Sequence, residues 1–521
     1  MAITPRDRSS PLLNHLSCSV LAAGTFATGT VSAETLLIQP TLSVVSSAEK
    51  QVNVLGTPSE DGKPRREVIT VVSPGVQILA QGAHSLIDGL IHLDVYNYGP
   101  GQQENQVVPN GHLAAQLVSI ETGTGLAAAW KAEQVPRQFI SNSQSGNPNN
   151  EYTKTTWYLA PYLVKPLNAS TTLRARLDHA LIQSTQTTSR PDGVSRPDST
   201  ATTANIALAQ RATPLGYELK AIRQQSEQPD QVHSSKRQST ALAKGLYALS
   251  SELNVGLLIG RESGNITTKE NDYNGKVYGW SLDWRPQDRT SLFSQVEHRF
   301  FGQAWQVDAN HRMNWMALSA SFSRYATTYA ASVSSVTANA LDQRFATFNT
   351  DPTDRAKVLA DFVTGGASQL SNANDIFNQN VQIRQEASGR LTIVGRRDTI
   401  GFAAGRVDSS TVLDEQTAVP ATRDYFFVGD WTHRLAPTWR VSNALRWSRQ
   451  HLTPTSLDVG LTRSFGRDFS WRGALLTDLS PSAIATFGLK RRVAHTTTYG
   501  SGASTVDRSE SAVFAGLDYK F

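Results

Sequence analysis

Residues that could perform chemistry are sparse and scattered along this 521-residue chain. It contains no Gly-x-Ser-x-Gly elbow, no phosphate-binding loop and no His-Glu-x-x-His segment. Glu297 and His298 are adjacent, and neighbouring strand residues face opposite sides, so these two side chains cannot act as a pair. The sequence therefore predicts a protein that is not an enzyme and has no cofactor or metal. A hydrolase assembled from residues far apart in sequence stays open as an alternative.

Arginine is the other side chain whose placement suggests a function. The chain has 13 lysines against 36 arginines, and arginines recur one residue away from large apolar side chains. If the polar strand faces enclose an aqueous interior, planar guanidinium groups line it and favour anions. A codon bias toward arginine explains the excess equally well. We predict that five arginines face the interior: Arg174, Arg176, Arg285, Arg440 and Arg446.

The elements that must position these arginines are strands. From Leu36 onward, segments of about 10 to 14 residues alternate polar and apolar side chains, which is typical of membrane-barrel strands. Trp439 and Trp447 bracket one apolar face, and eight residues of tilted strand advance roughly 19 Å, close to the height of a barrel's apolar band.

The mean hydropathy of -0.32 excludes a bundle of membrane helices. A net charge of +5 is too small for a nucleic-acid partner.

We predict an all-β fold: a single large antiparallel transmembrane β-barrel of about 22 strands, an even number between 18 and 24. Turn residues delimit 23 candidate strands, with separate ones at 456–465 and 469–479. One strand must be split or missed, and we place that error between His451 and Leu479. Tight turns alternate with long connections. The longest spans 326–375 and contains a predicted short helix near Asp351 to Gly366. This segment either folds into the lumen or rests on the rim.

Both ends of the chain carry targeting features. Residues 1–33 are predicted to be a signal peptide, ending in small residues at Val31-Ser32-Ala33, which leaves a barrel of 34–521 without Cys18, the only cysteine. With only Glu34 to Leu37 before the first strand, we expect no plug domain of the kind found in TonB-dependent receptors. The last strand resembles the signal that the barrel assembly machinery recognises, with Gly516, Tyr519 and Phe521 at the usual spacing. Phe514 departs from it, since a polar residue is usual there.

Several short motifs lie in a characteristic order along the chain: Ile38-Gln39-Pro40, the run Val72 to Gly75, the stretch Trp284 to Gly302 and the turn Arg396 to Thr399. In order and spacing they resemble outer-membrane proteins associated with the PEP-CTERM and exosortase system. The resemblance implies a Gram-negative outer-membrane barrel with a role in envelope transport or exopolysaccharide export. Because the arginine-bearing faces favour anions, the partners that we expect are outer-membrane lipid and an anionic exopolysaccharide or its export apparatus. The resemblance transfers no site residues, because the matching positions lie in turns and strands. A channel, a structural or adhesive barrel and an outer-membrane hydrolase stay open.

Overall fold

The computed structural model describes most of the chain between residues 33 and 521. The described residues are 33–52, 65–82, 84–99, 105–119, 121–136, 151–185, 198–227, 235–265, 273–328, 330–334, 381–411, 421–453, 463–499 and 504–521. The predicted signal peptide, apart from Ala33, and the predicted helix at 351–366 lie outside them.

The described residues form 22 strands, numbered in chain order. Their bounds are β1 Ala33–Val52, β2 Arg65–Gly82, β3 Ser85–Tyr98, β4 Gln106–Ser119, β5 Thr124–Pro136, β6 Glu151–Pro166, β7 Thr171–Thr185, β8 Ser199–Gln210, β9 Leu215–Glu227, β10 Lys236–Ala248, β11 Leu253–Gly264, β12 Tyr273–Gln287, β13 Thr290–Arg299, β14 Gly302–Arg312, β15 Met316–Thr327, β16 Gln382–Val394, β17 Asp398–Thr411, β18 Ala421–Arg434, β19 Trp439–Thr453, β20 Arg463–Ser480, β21 Ala483–Tyr499 and β22 Ser504–Lys520. A single turn of helix at 330–334 follows β15.

Each strand pairs antiparallel with its neighbours in sequence, and the first and last strands pair with each other. The closing ladder runs from Thr41 opposite Lys520 to Val52 opposite Ser509. Closure leaves no sheet edge, so every strand has hydrogen-bonding partners on both sides. The predicted fold, a single antiparallel barrel of 22 strands, is confirmed.

Connections between strands alternate in length, as predicted. Short turns join β2 to β3, β4 to β5 and each later even-numbered strand to the next, at the end where β1 begins and β22 ends. In the β4–β5 turn, Gly123 has φ +69°, and a Cβ there would lie 2.2 Å from the Val164 carbonyl oxygen. Longer connections lie at the opposite end, with two exceptions: only Phe300 and Phe301 separate β13 from β14, and only residues 500–503 separate β21 from β22. In bacterial barrels, short turns are periplasmic and long loops extracellular.

Strand β20 explains why the sequence predicted 23 candidate strands whereas the structure has 22. We predicted separate strands at 456–465 and 469–479, whereas 463–480 is one continuous strand paired with β19 and β21. The split is therefore wrong, although its position between His451 and Leu479 was predicted correctly. Gly466 and Asp468 suggested a turn, but both have partners in the two flanking ladders, and this pairing overrides their local turn preference.

The register divides every strand into two faces. One face carries exposed apolar side chains, including Leu257 at 74% and Ile259 at 68% exposure, and they belong to the same pairing rows as Trp280 and Tyr278. Large aromatic side chains occur near both ends of this face, with Trp439 at the short-turn end and Trp447 eight residues further on. An apolar outer band flanked by aromatic residues is the surface that a barrel presents to lipid. The opposite face lines the lumen.

Within the described residues, none of the helices has the length and apolar character needed to cross a membrane.

Candidate transport lumen

Charged side chains on the lumen face are grouped into ion pairs. Glu133 lies between Lys131 and Lys154, at 2.7 and 2.8 Å. Lys490 lies between Glu49 and Glu510, at 2.6 and 2.7 Å, and so connects β21 to both strands of the closing ladder. A charge removed from bulk water needs such partners, because desolvation otherwise costs several kcal/mol. The inner wall is therefore polar but largely neutralised.

Glu262 is one of two acids of this wall, with Asp424, that are only 1% exposed. Its side chain has no exposed surface, and Arg299 donates to Oε2 from Nη2 at 2.8 Å. The backbone N–H of Phe300 donates to Oε1 at 2.7 Å. Both donors come from the end of β13 and the two-residue turn that follows it, so this carboxylate fixes the short connection at the long-loop end. The interaction is structural, because both carboxylate oxygens already accept hydrogen bonds.

The five predicted arginines all lie on the face opposite the exposed apolar side chains. Three of them have carboxylate partners. Arg176 pairs with Asp178 at 2.8 Å, Arg285 with Asp283 at 3.0 Å and Arg440 with Asp478 at 3.1 Å. Arg446 interacts electrostatically with Asp468 and Arg492. The structure thus places these arginines around the wall, and most of their charge is compensated locally.

A cavity of about 860 Å³ opens in the lumen at the short-turn end of the wall from β7 to β14. Five basic side chains and three acidic ones line it: Arg174, Arg211, Lys220, Lys244 and Arg285, with Glu218, Asp283 and Glu297. Lys244 pairs with Glu218 at 3.5 Å, and Arg285 pairs with Asp283. The formal balance of these lining groups is positive.

Arg174 and Lys220 are two of the basic residues that give the cavity lining its excess of positive charge. Ala207 of β8 pairs with Arg174 of β7 on one side and with Lys220 of β9 on the other, so the two cations flank a methyl side chain in one row. Two strand spacings separate their Cα atoms by roughly 10 Å. Across the described part of the chain, neither cation has an acidic partner. This row can therefore hold an anion without breaking an existing ion pair.

The segment that follows β15 turns into the lumen. Thr328 begins the helical turn at 330–334: its carbonyl accepts from the Ser332 N–H at 2.9 Å and its hydroxyl from the Ala331 N–H at 3.3 Å. Ala330 packs against Ile182 and Ala201, which face inward from β7 and β8. Those strands lie seven or more positions around the wall from β15. The start of the long connection therefore lies against the inner wall, well away from the strand that it leaves.

The three predicted assembly residues occupy the closing strand. Gly516 pairs with Val45 of β1, and Tyr519 pairs with Leu42. Phe521 lies just beyond β22, where its backbone N–H donates to the Pro40 carbonyl at 3.0 Å and its ring packs edge-on against Tyr519 at 4.7 Å. Tyr519 and Phe521 face outward, on the lipid side. Phe514 faces the lumen, where the Arg472 guanidinium lies 4.6 Å from its ring centre.

Sequence reasoning missed the acids that neutralise the arginines. A simple pattern could have found several of them, because residues two apart on a strand share a face. Arg176 and Asp178 follow this pattern, as do Asp283 and Arg285. Asp478 could not be found in this way, because it reaches Arg440 from the neighbouring strand. No cluster of three or more potential metal ligands occurs in the described ranges.

Comparisons with known proteins find solved structures of low sequence identity. No protein-family model and no curated protein matches the sequence. The structure of the siderophore receptor PirA from Acinetobacter baumannii is 9% identical, with a TM-score of 0.43 over 92% of this chain and 80% of that chain. OccK9 (OpdG) from Pseudomonas aeruginosa is 9% identical, with a TM-score of 0.33 over 93% and 98%. OccAB3 from Acinetobacter baumannii is 8% identical, with a TM-score of 0.32 over 93% and 99%.

Proposed function

We propose that this chain is a channel of the Gram-negative outer membrane that passes anionic solutes. The observation that carries the proposal is the polar cavity at the short-turn end, where Arg174 and Lys220 have no acidic partner among the described residues. An aqueous space bounded by an excess of fixed cations attracts anions and repels cations. The outward apolar face supports placement in a membrane. The signal peptide predicted at residues 1–33 supports export to the outer membrane.

An anionic polysaccharide is the solute class that we favour, in association with an exopolysaccharide export apparatus. The support is the resemblance of Val72 to Gly75 and the other short motifs to outer-membrane proteins of the PEP-CTERM and exosortase system. A sugar acid would meet unpaired cations at the cavity, while neutral hydroxyl groups can accept hydrogen bonds from arginine as well. The genes beside this one test the association, since a polysaccharide synthesis cluster is expected there.

Planar-bilayer recording tests the channel itself. We expect stepwise conductance from the purified, folded protein, because charged and polar side chains line the cavity in the lumen and favour an aqueous path. Under a salt gradient, the reversal potential should lie on the anion-selective side. A folded barrel that conducts nothing would support a passive structural or adhesive barrel instead. A conducting barrel that selects cations would contradict the proposed solute class while leaving the channel in place.

A further inference from the structure

The outer wall carries a cluster of arginines that channel function does not explain. Arg406 of β17, Arg423 of β18, Arg449 of β19 and Arg467 of β20 all face outward near the long-loop end. We name these four residues the basic patch. Arg406, Tyr425, Arg449 and Arg467 form one row across four strands, about 14 Å wide at the usual strand spacing. Arg423 lies in the next row toward the loops.

The patch borders directly on the apolar band. The next outward row toward the short turns consists of Ala404, Phe427, Trp447 and Phe469, in the same four strands. Guanidinium groups and lipid-facing aromatic rings therefore lie in adjacent outward rows. In a barrel with its long loops outside the cell, this boundary lies at the level of the outer-leaflet headgroups.

The charges of the patch are only partly compensated. Asp408 pairs with Arg406 at 2.5 Å and with Arg423 at 2.8 Å. Arg449 and Arg467 lie directly opposite each other on adjacent strands, and none of the described acidic side chains pairs with either. Both guanidinium groups pack on the Phe465 ring, at 4.9 and 4.8 Å from its centre. Like charges directly opposite each other destabilise a sheet, unless something neutralises them.

Two nitrogen atoms of the patch are enclosed and unsatisfied. The Nε atoms of Arg406 and Arg449 are buried, and no described residue accepts a hydrogen bond from either. A buried donor without an acceptor costs about 1 to 3 kcal/mol, and more when its group is charged. Phosphate oxygens satisfy such donors well, because guanidinium groups bind them in bidentate geometry.

We propose that the basic patch binds the phosphorylated headgroup of an anionic outer-leaflet lipid, with its acyl chains along Phe427, Trp447 and Phe469. The headgroup phosphate would lie between Arg449 and Arg467 and relieve their repulsion. The row of aromatic rings immediately below fits hydrocarbon chains and distinguishes a lipid from a free anion. The proposal concerns the outer wall and does not depend on what passes through the lumen.

Lipid binding can be measured by native mass spectrometry of the full-length folded protein in neutral detergent. The probes are bisphosphorylated lipid A, the same lipid after removal of both phosphates, and inorganic phosphate. We expect the phosphorylated lipid to bind and the dephosphorylated lipid to bind much more weakly. Millimolar inorganic phosphate should not displace the lipid. Equal binding of the two lipids, or full displacement by inorganic phosphate, would overturn the proposal.

Variants locate the site on the wall. R449Q/R467Q should bind phosphorylated lipid A about 30-fold more weakly, from the usual contribution of two basic residues at an anionic surface. R467Q removes one exposed guanidinium and should show a smaller loss, which keeps the test available if the double variant folds poorly. R223Q is the matched control, because Arg223 faces outward between Ala204 and Ser239. Unchanged binding by folded R449Q/R467Q, or an equal loss in R223Q, contradicts the assignment. Bilayer conductance should stay unchanged in all three variants.

Discussion

At the scale of single residues, the lumen face is organised by ion pairs between positions two apart. Lys131 and Glu133 form one such pair, at 2.7 Å. Arg384 and Glu386 form another, on β16. Side chains at this spacing point to the same side of a strand, so the carboxylate that pairs with each of these cations comes from the cation's own strand. Arginine content alone therefore overstates the positive charge of the interior, and the proposed anion selectivity rests on the cations that lack such a partner.

The first prediction concerns the unpaired cations of the cavity. Reversing charge in R174E/K220E places two carboxylates beside Ala207, so the variant should lose anion preference and shift its reversal potential toward cation selectivity. Bilayer recording under a salt gradient measures the shift. R174K/K220R is the matched control, because it preserves both charges, and its selectivity should equal that of the parent. An unchanged reversal potential in R174E/K220E would mean that ions do not pass this row.

The second prediction compares the two faces of β19. Leu445 faces outward between Gly429 and Trp471, inside the apolar band and one outward row from Trp447. Leu445→Arg should lower the free energy of unfolding by about 1 to 3 kcal/mol, because it puts a charge in the apolar band between the bilayer midplane and the interface. Ser442→Arg adds the same side chain to the polar lumen face and should cost less. Denaturant midpoints in lipid measure both, and a lower midpoint for Ser442→Arg than for Leu445→Arg would show that the faces are reversed.

At the scale of elements, the short helical turn at 330–334 determines where the longest connection begins. Its contact with Ile182 and Ala201 is apolar, and Ala330 is only 3% exposed. Sequence analysis left open whether this connection folds inward or rests on the rim. The described part lies against the inner wall of β7 and β8. A contact between a segment after β15 and strands on another part of the wall cannot be read from local sequence.

The third prediction is a cross-link that reports this contact. The mature chain is predicted to lack cysteine, so A201C/A330C introduces the only two thiols. Because Ala201 and Ala330 pack together, oxidation should join them and alter the mobility of the unfolded protein on a non-reducing gel. T200C/A330C is the control, since Thr200 is adjacent to Ala201 but faces outward. Equal cross-linking of the two variants would show that the helical turn does not lie on the inner wall.

At the scale of the whole molecule, stability depends on closure between β1 and β22. The ladder between them runs over most of both strands, and Lys490 connects the two through Glu49 and Glu510. In a membrane, an open edge would leave backbone N–H and C=O groups without partners, and each would cost several kcal/mol. Closure is therefore the step on which every other strand depends.

The fourth prediction follows from the position of Tyr519 and Phe521 at this seam. Replacing both by alanine should reduce the amount of folded protein in the outer membrane, because the last strand must be recognised and paired before closure. The yield of heat-modifiable protein on gels measures this, with Val513→Ala as a control at another outward position of β22. The few molecules that do fold should conduct like the parent. Normal yields would mark Tyr519 and Phe521 as ordinary strand residues.

The sequence by itself determined the fold class and most strand positions. Alternation with period two is a local property, and an apolar face with tryptophans near both ends, as in Trp439 to Gln450, is typical of a strand that faces lipid. The same alternation placed Arg440 and Arg446 opposite the tryptophans of their strand. These conclusions follow from the geometry of a single β-strand, because successive side chains point to opposite faces.

Tertiary structure decided everything that depends on register and closure. Which cations remain unpaired depends on neighbours across strands: Asp478 reaches Arg440, whereas Ala207 leaves Arg174 and Lys220 without an acid between them. The basic patch likewise exists only because the register sets Arg449 opposite Arg467. A one-residue slip in pairing would turn every side chain of a strand to the other face, so these juxtapositions follow from the closed sheet as a whole.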